Sequence, residues 1–507
     1  MKSIVEFRIF GNFARKNTDM DQSMDCPSPV SPQIWLDVED LFQYAIHNAR
    51  PSGIQRLCYE LYSALIAQQE YSVRFCRHDR DEQLLREVSW LEIKSLFLGL
   101  SELKISEKKD IHSTETRQFS PQRVGALRKF VRTLSVEMRE PIAQAYAAQR
   151  LVLVTQRDVF RYALNFLKVL FPARATTSKK ETKLTTSFKG QDIRGLLRPG
   201  DIFCVLGSPW FHEDYAAFLE KATRPHDDKI AAPKLALLIY DLIPIVRPEW
   251  CDAALVACFT RWFETCIPKA EFLFAISKFT AEDLLAWMEK NNLTPSRPIE
   301  VLPIGSGFNE PAEMGHAVVP VNLPQSEFVL FVSTIEARKN HLFVFRVWRR
   351  LLEQFGADKV PTLVFAGRQG WLVADLMQQL KNCSFLGGKI LFISDPSDAE
   401  LRELYRGCRF TIFPSLYEGW GLPVTESLAF GKVCVASNRT SIPEAGGEFC
   451  LYFDPENILE GTEVISRACF DNALIDEKES LIRSKFKFIS WQDSANILTK
   501  TVTSSAL

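Results

Sequence analysis

Short apolar runs alternate with helix-length amphipathic stretches in two successive blocks, residues 33–310 and residues 311–488. In the first block IWLDVEDL, from Ile34, has the pattern of a buried strand. Pro-Ser-Gly follows shortly after, and then Ile54, Leu57, Leu61 and Leu65 fall on one helical face. DIFCVLGSPW from Asp201, KLALLIYDLIP from Lys234 and EFLFAISKFTAEDLLAWM from Glu271 each begin with another short apolar strand. In the second block the strands are FVLFVST from Phe328, TLVFAG from Thr362, KILFIS from Lys389, RFTIFPS from Arg409 and KVCVAS from Lys432. Strands buried on both faces and spaced by helices predict parallel sheets, so the pattern specifies an α/β protein with two doubly wound domains. The run Asn309–Gln325, with three prolines and little periodicity, is the expected linker, and residues 489–507 are expected to form a C-terminal helix and tail.

Composition adds less. The chain of 507 residues carries 61 Lys/Arg against 62 Asp/Glu, which gives no global electrostatic case for nucleic acid. The balance is local: Arg117 to Lys180 holds 13 Lys/Arg and 3 Asp/Glu, inside an expected basic helical insertion at about 117–190. Two stretches there, PQRVGALRKFVRTL and VFRYALNFLKVLF, fit ordinary core-facing helices with solvated basic faces. They equally fit a surface resting on anionic membrane. The 12 cysteines form no Cys-x-x-Cys pair, and residues 1–32 read as a flexible lead-in without a signal peptide's apolar core. No apolar run is long enough to span a membrane, so the expected location is the cytoplasm, with the basic segment allowing peripheral attachment to the inner face of the membrane.

The densest chemical signal is PSLYEGWGLPVTESLAFGKVCVAS, Pro414 to Ser437. A strand is expected to end near Ser415. The chain then turns through Glu418, Gly419, Trp420 and Gly421, and a helix starts with Pro423 and stops before Gly431. Turn amides and a helix N-terminus aimed at one point suit a diphosphate. Glu426, expected in the helix's first turn, suits a ribose diol. Glu418, as a turn carboxylate, is expected to be removable at little structural cost. Upstream, FVSTIEARKNHLFVF places Arg338 and Lys339 between a strand end and a helix start. An ordinary structural role explains any one of these residues alone: a glutamate complementing a helix dipole, or a solvated basic pair. Their occurrence together is what points to a nucleotide site.

These segments resemble the retaining nucleotide-sugar glycosyltransferases of family four. YEGWGLPVTESLAFGK is similar to that family's paired-glutamate motif, and STIEARKN to the basic loop before it. YDLIPIVRPEW, AISKFTAEDL, VLPIGSGF and SNRTSIPEAGG follow the same order. The resemblance is nearest to bacterial surface-polysaccharide mannosyltransferases and implies the GT-B fold, two Rossmann-like domains facing a cleft. It implies that Glu418 holds donor-sugar hydroxyls, Glu426 the ribose, and Lys339 the diphosphate. The amides of Gly419, Trp420, Gly421 and Leu422 would hold phosphate and sugar. Ser394 would face the base, Gly53 would approach the diphosphate from the first domain, and Tyr240 and Asp241 would border the acceptor. Two positions depart from the family: Ser333-Thr334 stand where an arginine is usual, with Arg338 the expected substitute, and Tyr240 stands where a histidine is usual.

The implied reaction moves a hexose, mannose from GDP-mannose first, to a saccharide or lipid-linked acceptor, with no metal and no cofactor. Asp19-Met20-Asp21 spells an Asp-x-Asp, but in the lead-in it reads as chance. A nucleotide-sugar epimerase on the same scaffold is the rival enzyme class, against which only seven histidines stand available. A non-catalytic partner subunit is the other rival.

Overall fold

The computed structural model describes residues 32–48, 51–79, 81–102, 190–305, 324 and 326–504. Asp19, Asp21, the basic segment from Arg117 to Lys180 and most of the linker lie outside them.

The first domain is a seven-stranded sheet, in the order β3-β2-β1-β4-β5-β6-β7. Its strands are β1 Gln33–Asp37, β2 Ser72–Asp79, β3 Leu84–Val88, β4 Ile202–Val205, β5 Lys234–Ile239, β6 Phe272–Ala275 and β7 Glu300–Val301. All pairings are parallel except β2 with β3, an antiparallel hairpin at the edge that the apolar-run pattern did not predict. SVRFCRHD interleaves apolar and charged residues, as suits a strand near an edge with one wetter face. Trp35, Phe203, Leu237, Leu273 and Phe263 form the centre of the core.

The second domain is a six-stranded parallel sheet, in the order β10-β9-β8-β11-β12-β13. Its strands are β8 Phe328–Val332, β9 Thr362–Gly367, β10 Ile390–Ser394, β11 Thr411–Phe413, β12 Cys434–Ser437 and β13 Leu451–Phe453. Five of them are the predicted ones; LYF at β13 is too short to stand out. The helix His341–Phe355 covers the sheet with Phe343, Val344, Phe345, Val347, Trp348 and Leu351, and stops at Gly356 with φ 82°. Each such side chain contributes about 1.5–3 kcal/mol when fully buried, so this face alone anchors the helix.

Reversal of strand order beside β1 and β4, and again beside β8 and β11, makes the crevice at the carboxyl ends of those strands the natural binding place. Both domains are Rossmann-like, and the architecture is GT-B. The last helix, Trp491–Thr503, returns to the first domain, where Ser494 Oγ donates to the Pro303 carbonyl at 2.6 Å. Among the described residues no disulfide forms and no helix is long and apolar enough to cross a membrane.

Candidate donor site at the β8 and β11 switch point

The loop after β8 and the loop after β11 meet. Ala337–Lys339 form one 3-10 turn, and Asn340 at φ 62° then starts the helix, with its amide side chain donating to the carbonyls of Pro414 and Pro455. This pins Arg338 and Lys339 against the opposite loop. Arg338 Nη1 lies 2.7 Å from Glu418 Oε2 and donates to the Tyr417 carbonyl at 2.6 Å; its Nη2 donates to Glu336 Oε1 at 2.7 Å. Lys339 Nζ donates to Glu418 Oε1 at 2.5 Å. Glu418 is therefore no solvated turn residue: it is only 7% exposed and held between two cations, which overturns the expectation that it is cheap to remove.

Electrostatics follow from that geometry. Burial alone would raise the Glu418 carboxyl, but Arg338 and then Lys339 hold it down at about 2. Burial and the adjoining guanidinium pull the Lys339 ammonium below its ordinary value. Arg338 moves the other way, raised by Glu418 and Glu336 against the effect of burial, so the guanidinium is the dominant partner. Asp241 is raised by burial while Arg338 draws it back, and its Oδ1 accepts the Ile243 N–H at 3.0 Å.

The turn itself is shaped by contact between the domains. A Cβ on Gly419 would sit 1.9 Å from the Tyr240 carbonyl oxygen, so only glycine allows the loop to lie there. Thr280 Oγ1 lies 3.3 Å from both the Tyr240 and Gly419 carbonyls. Gly421 needs its freedom for a different reason, a φ of 116°. Ser441, fully buried, donates to the carbonyls of Glu418 and Trp420 at 2.8 and 3.0 Å. With the carbonyls so occupied, the N–H groups of Gly419, Trp420, Gly421 and Leu422 meet no acceptor among the described residues. They lead into the helix Leu422–Ala429, of which Leu422 is the first residue, and which closes with Gly431 N–H to Leu428 and Lys432 N–H to Ser427, as expected for an end at Gly431.

One predicted placement needs correction. Glu426 is the fifth residue of that helix, in its second turn, because the helix starts at Leu422 and not at Pro423. Its Oε2 accepts from Tyr405 at 2.7 Å; burial raises its carboxyl, and Tyr405 and Arg56 oppose that. Tyr240 presents only its backbone to the second domain: its hydroxyl is buried in the first, donating to the Leu206 carbonyl at 2.5 Å beside Cys58 Sγ. A phenol there cannot stand in for an imidazole in the cleft.

The remaining residues are distributed around this centre. Gly53 begins the helix Gly53–Ala67, and a Cβ there would lie 3.6 Å from Leu422 Cδ1, so two helix N-termini approach one another. Ser394 is exposed at the end of β10. Sequence reasoning missed Arg56, which pairs with Asp398 across the domains and lies electrostatically near Glu426. One helical turn after Gly53, it shares that residue's face, a spacing that was available as a signal.

Comparison with known proteins bears on this centre. Residues 320–472, which contain Arg338, Lys339, Glu418 and Glu426, match the family described as "Glycosyl transferases group 1". Over that stretch the chain is similar to group 1 glycosyltransferases. It is similar to the serotype-specific mannosyltransferase WbdA of Escherichia coli, at 26% identity over 69% of this chain and 41% of that one. It is also similar to O-antigen chain mannosyltransferase B of Escherichia coli, at 25% identity over 52% of this chain and 68% of that one. The chain thus spans about two fifths of the length of WbdA. A solved structure titled "Trehalose-6-phosphate synthase. OtsA" aligns at 15% identity with a TM-score of 0.46, over 61% of this chain and 73% of that one. At that score it adds nothing to the architecture, which stands on the two strand orders.

Proposed function

We propose that the protein is a retaining glycosyltransferase, moving a hexose from a nucleotide-diphosphate sugar to a saccharide or lipid-linked saccharide acceptor in surface-polysaccharide synthesis. The observation that carries this reading is the Arg338–Glu418–Lys339 cluster beside the free amides of the 419–422 turn. Two cations and a set of oriented N–H groups converge where a diphosphate would lie, next to a carboxylate that can accept sugar hydroxyls. The similarity to mannosyltransferases supports mannose as the sugar and GDP-mannose as the first donor to test.

In the proposed reaction the bond from the anomeric carbon to the diphosphate oxygen breaks, and one from the acceptor oxygen forms on the same face. The leaving phosphate takes the acceptor proton. Arg338 and Lys339 offset the charge that develops on that phosphate, a role that fixed cations perform without reorganising. Glu426 and its Tyr405 partner hold the ribose, Ser394 borders the base, and Asp241 faces the acceptor. Neither metal nor cofactor enters the scheme, so turnover in excess chelator should equal turnover without it.

A panel of nucleotide sugars, scored first by thermal stabilisation and then by turnover with saccharide acceptors, tests the reading. Stabilisation by GDP-mannose and an α-configured product are expected. An epimerised sugar formed from donor alone, or no nucleotide bound at all, would overturn it.

A further inference from the structure

Two cavities share a wall, one at the cleft and one in the first domain beside it. One, about 230 Å³, is lined by Asp241, Trp250, Glu336 and Arg338, and so adjoins the proposed reacting centre. The other, about 450 Å³, lies between the turn Pro209–Phe211, the helix Tyr215–Ala222 and the helix Ala253–Cys266. Trp210 and Trp262 line both. The two indoles meet edge to face at 5.7 Å.

We propose that the larger cavity is a distal subsite for a further sugar of the acceptor chain, continuous with the acceptor position through the Trp210–Trp262 wall. A pyranose offers an apolar C–H face ringed by hydroxyls, and this cavity offers the complement. Phe211 is 75% exposed, a large apolar surface that nothing in the fold requires. Around it stand the exposed carboxylates of Glu213, Asp214 and Glu264, acceptors suited to hydroxyl pairs. Glu213 has only a loose ion pair with Arg261, at 3.9 Å, and among the described residues no side chain pairs with Asp214 or Glu264. Trp262 is 4% exposed, yet its indole N–H has no hydrogen-bond partner, and Trp210 shows the same deficit. Both nitrogens are shut off from solvent, so what the indoles present to the two cavities is ring carbon, an apolar wall for a sugar's C–H face. The size falls within the range of small-ligand sites and exceeds that of the inner cavity, which fits a chain entering from outside.

This inference rests on the transferase reading, and its test separates the two. The full chain is titrated calorimetrically with methyl α-mannoside, with linear α-mannotriose and, separately, with GDP. The trisaccharide is expected to bind more tightly than the monosaccharide. Phe211→Ala should weaken trisaccharide binding about tenfold, the equivalent of one lost stacking contact. Glu213→Gln should weaken it in the same direction, and both side chains are exposed enough to be changed without unfolding the domain. Wild-type trisaccharide affinity in both variants overturns the subsite, as does wild-type protein that binds GDP but no trisaccharide. Failure to bind GDP counts against the donor reading instead, and the trisaccharide result still judges the subsite.

Discussion

Replacing Glu418 with glutamine removes one charge from a cluster whose cost can be worked out in two ways. The carboxyl is held at about 2 against an ordinary 4.5, and by linkage that difference corresponds to about 3 kcal/mol of native-state stability at neutral pH. Independently, deleting one member of a buried ion pair costs about 3–5 kcal/mol, because the partner charge stays buried without compensation. Here two cations would be stranded, with Glu336 left to hold Arg338 alone. In a domain of this size about 3 kcal/mol lowers the melting temperature by about 6–12 °C. Scanning calorimetry at pH 7 measures it directly. A second scan with saturating GDP should show more stabilisation in Glu418→Gln than in the wild type, since a diphosphate would return negative charge to Arg338 and Lys339. The pH dependence has a definite sign. A depressed carboxyl stabilises fully above 4.5, and that contribution is lost as pH falls from 4.5 through about 2. A variant melting within about 2 °C of wild type at pH 7 would refute the clamp and with it the reasoning about phosphate charge.

Glu426→Gln is expected to weaken binding of sugar-free GDP about tenfold in calorimetry, the loss of one charge-assisted contact; a loss confined to sugar-bearing ligands would mean that Glu418 and Glu426 have exchanged roles. Gly419→Ala should lower turnover about 100-fold in a protein with wild-type circular dichroism, because the new methyl meets the Tyr240 carbonyl and pushes the loop off the first domain; full activity would contradict that contact. His341 is buried against Phe331, with its Nε2 3.3 Å from Ser333 Oγ, and burial, with Lys339 adding to it, lowers its imidazole to about 3. The unfolded chain therefore takes up a proton below about 6.5 that the native state refuses until about 3, so stability falls across that window. The buried Asp40, raised to about 6, opposes this trend, so the difference between wild type and His341→Gln is the quantity to follow by chemical denaturation. Equal slopes between pH 6.5 and 4.5 would show that His341 is not held neutral.

The legible and the illegible parts of this molecule differ in kind. Parallel strands buried on both faces must be apolar throughout, so β5, β8, β9 and β12 announce themselves, and glycine stops such as Gly356 and Gly431 mark helix ends because few other residues accept their backbone angles. The 414–437 motif likewise had to concentrate turn glycines and carboxylates in one short stretch, and the strand-end location of Arg338 and Lys339 followed from the same periodicity. The β2–β3 hairpin stayed hidden because an edge tolerates charge and its run lacks a uniform apolar face. Helix starts were misjudged by one residue, enough to move Glu426 from the first turn to the second.

What the chain's order alone determined is therefore which elements exist and which residues stand at their carboxyl ends, since hydrophobic period and backbone conformational limits act locally. Tertiary structure decided their pairings. Glu418 could be read as a solvated turn residue until the fold brought Arg338 and Lys339, 80 and 79 positions earlier, within 2.7 Å of it and closed the burial around all three. The same holds for Arg56 beside Asp398, Gly419 against Tyr240, and the indole wall of Trp210 and Trp262. Charge and burial are properties of a neighbourhood, and a neighbourhood assembled from distant segments has no local signature in the sequence.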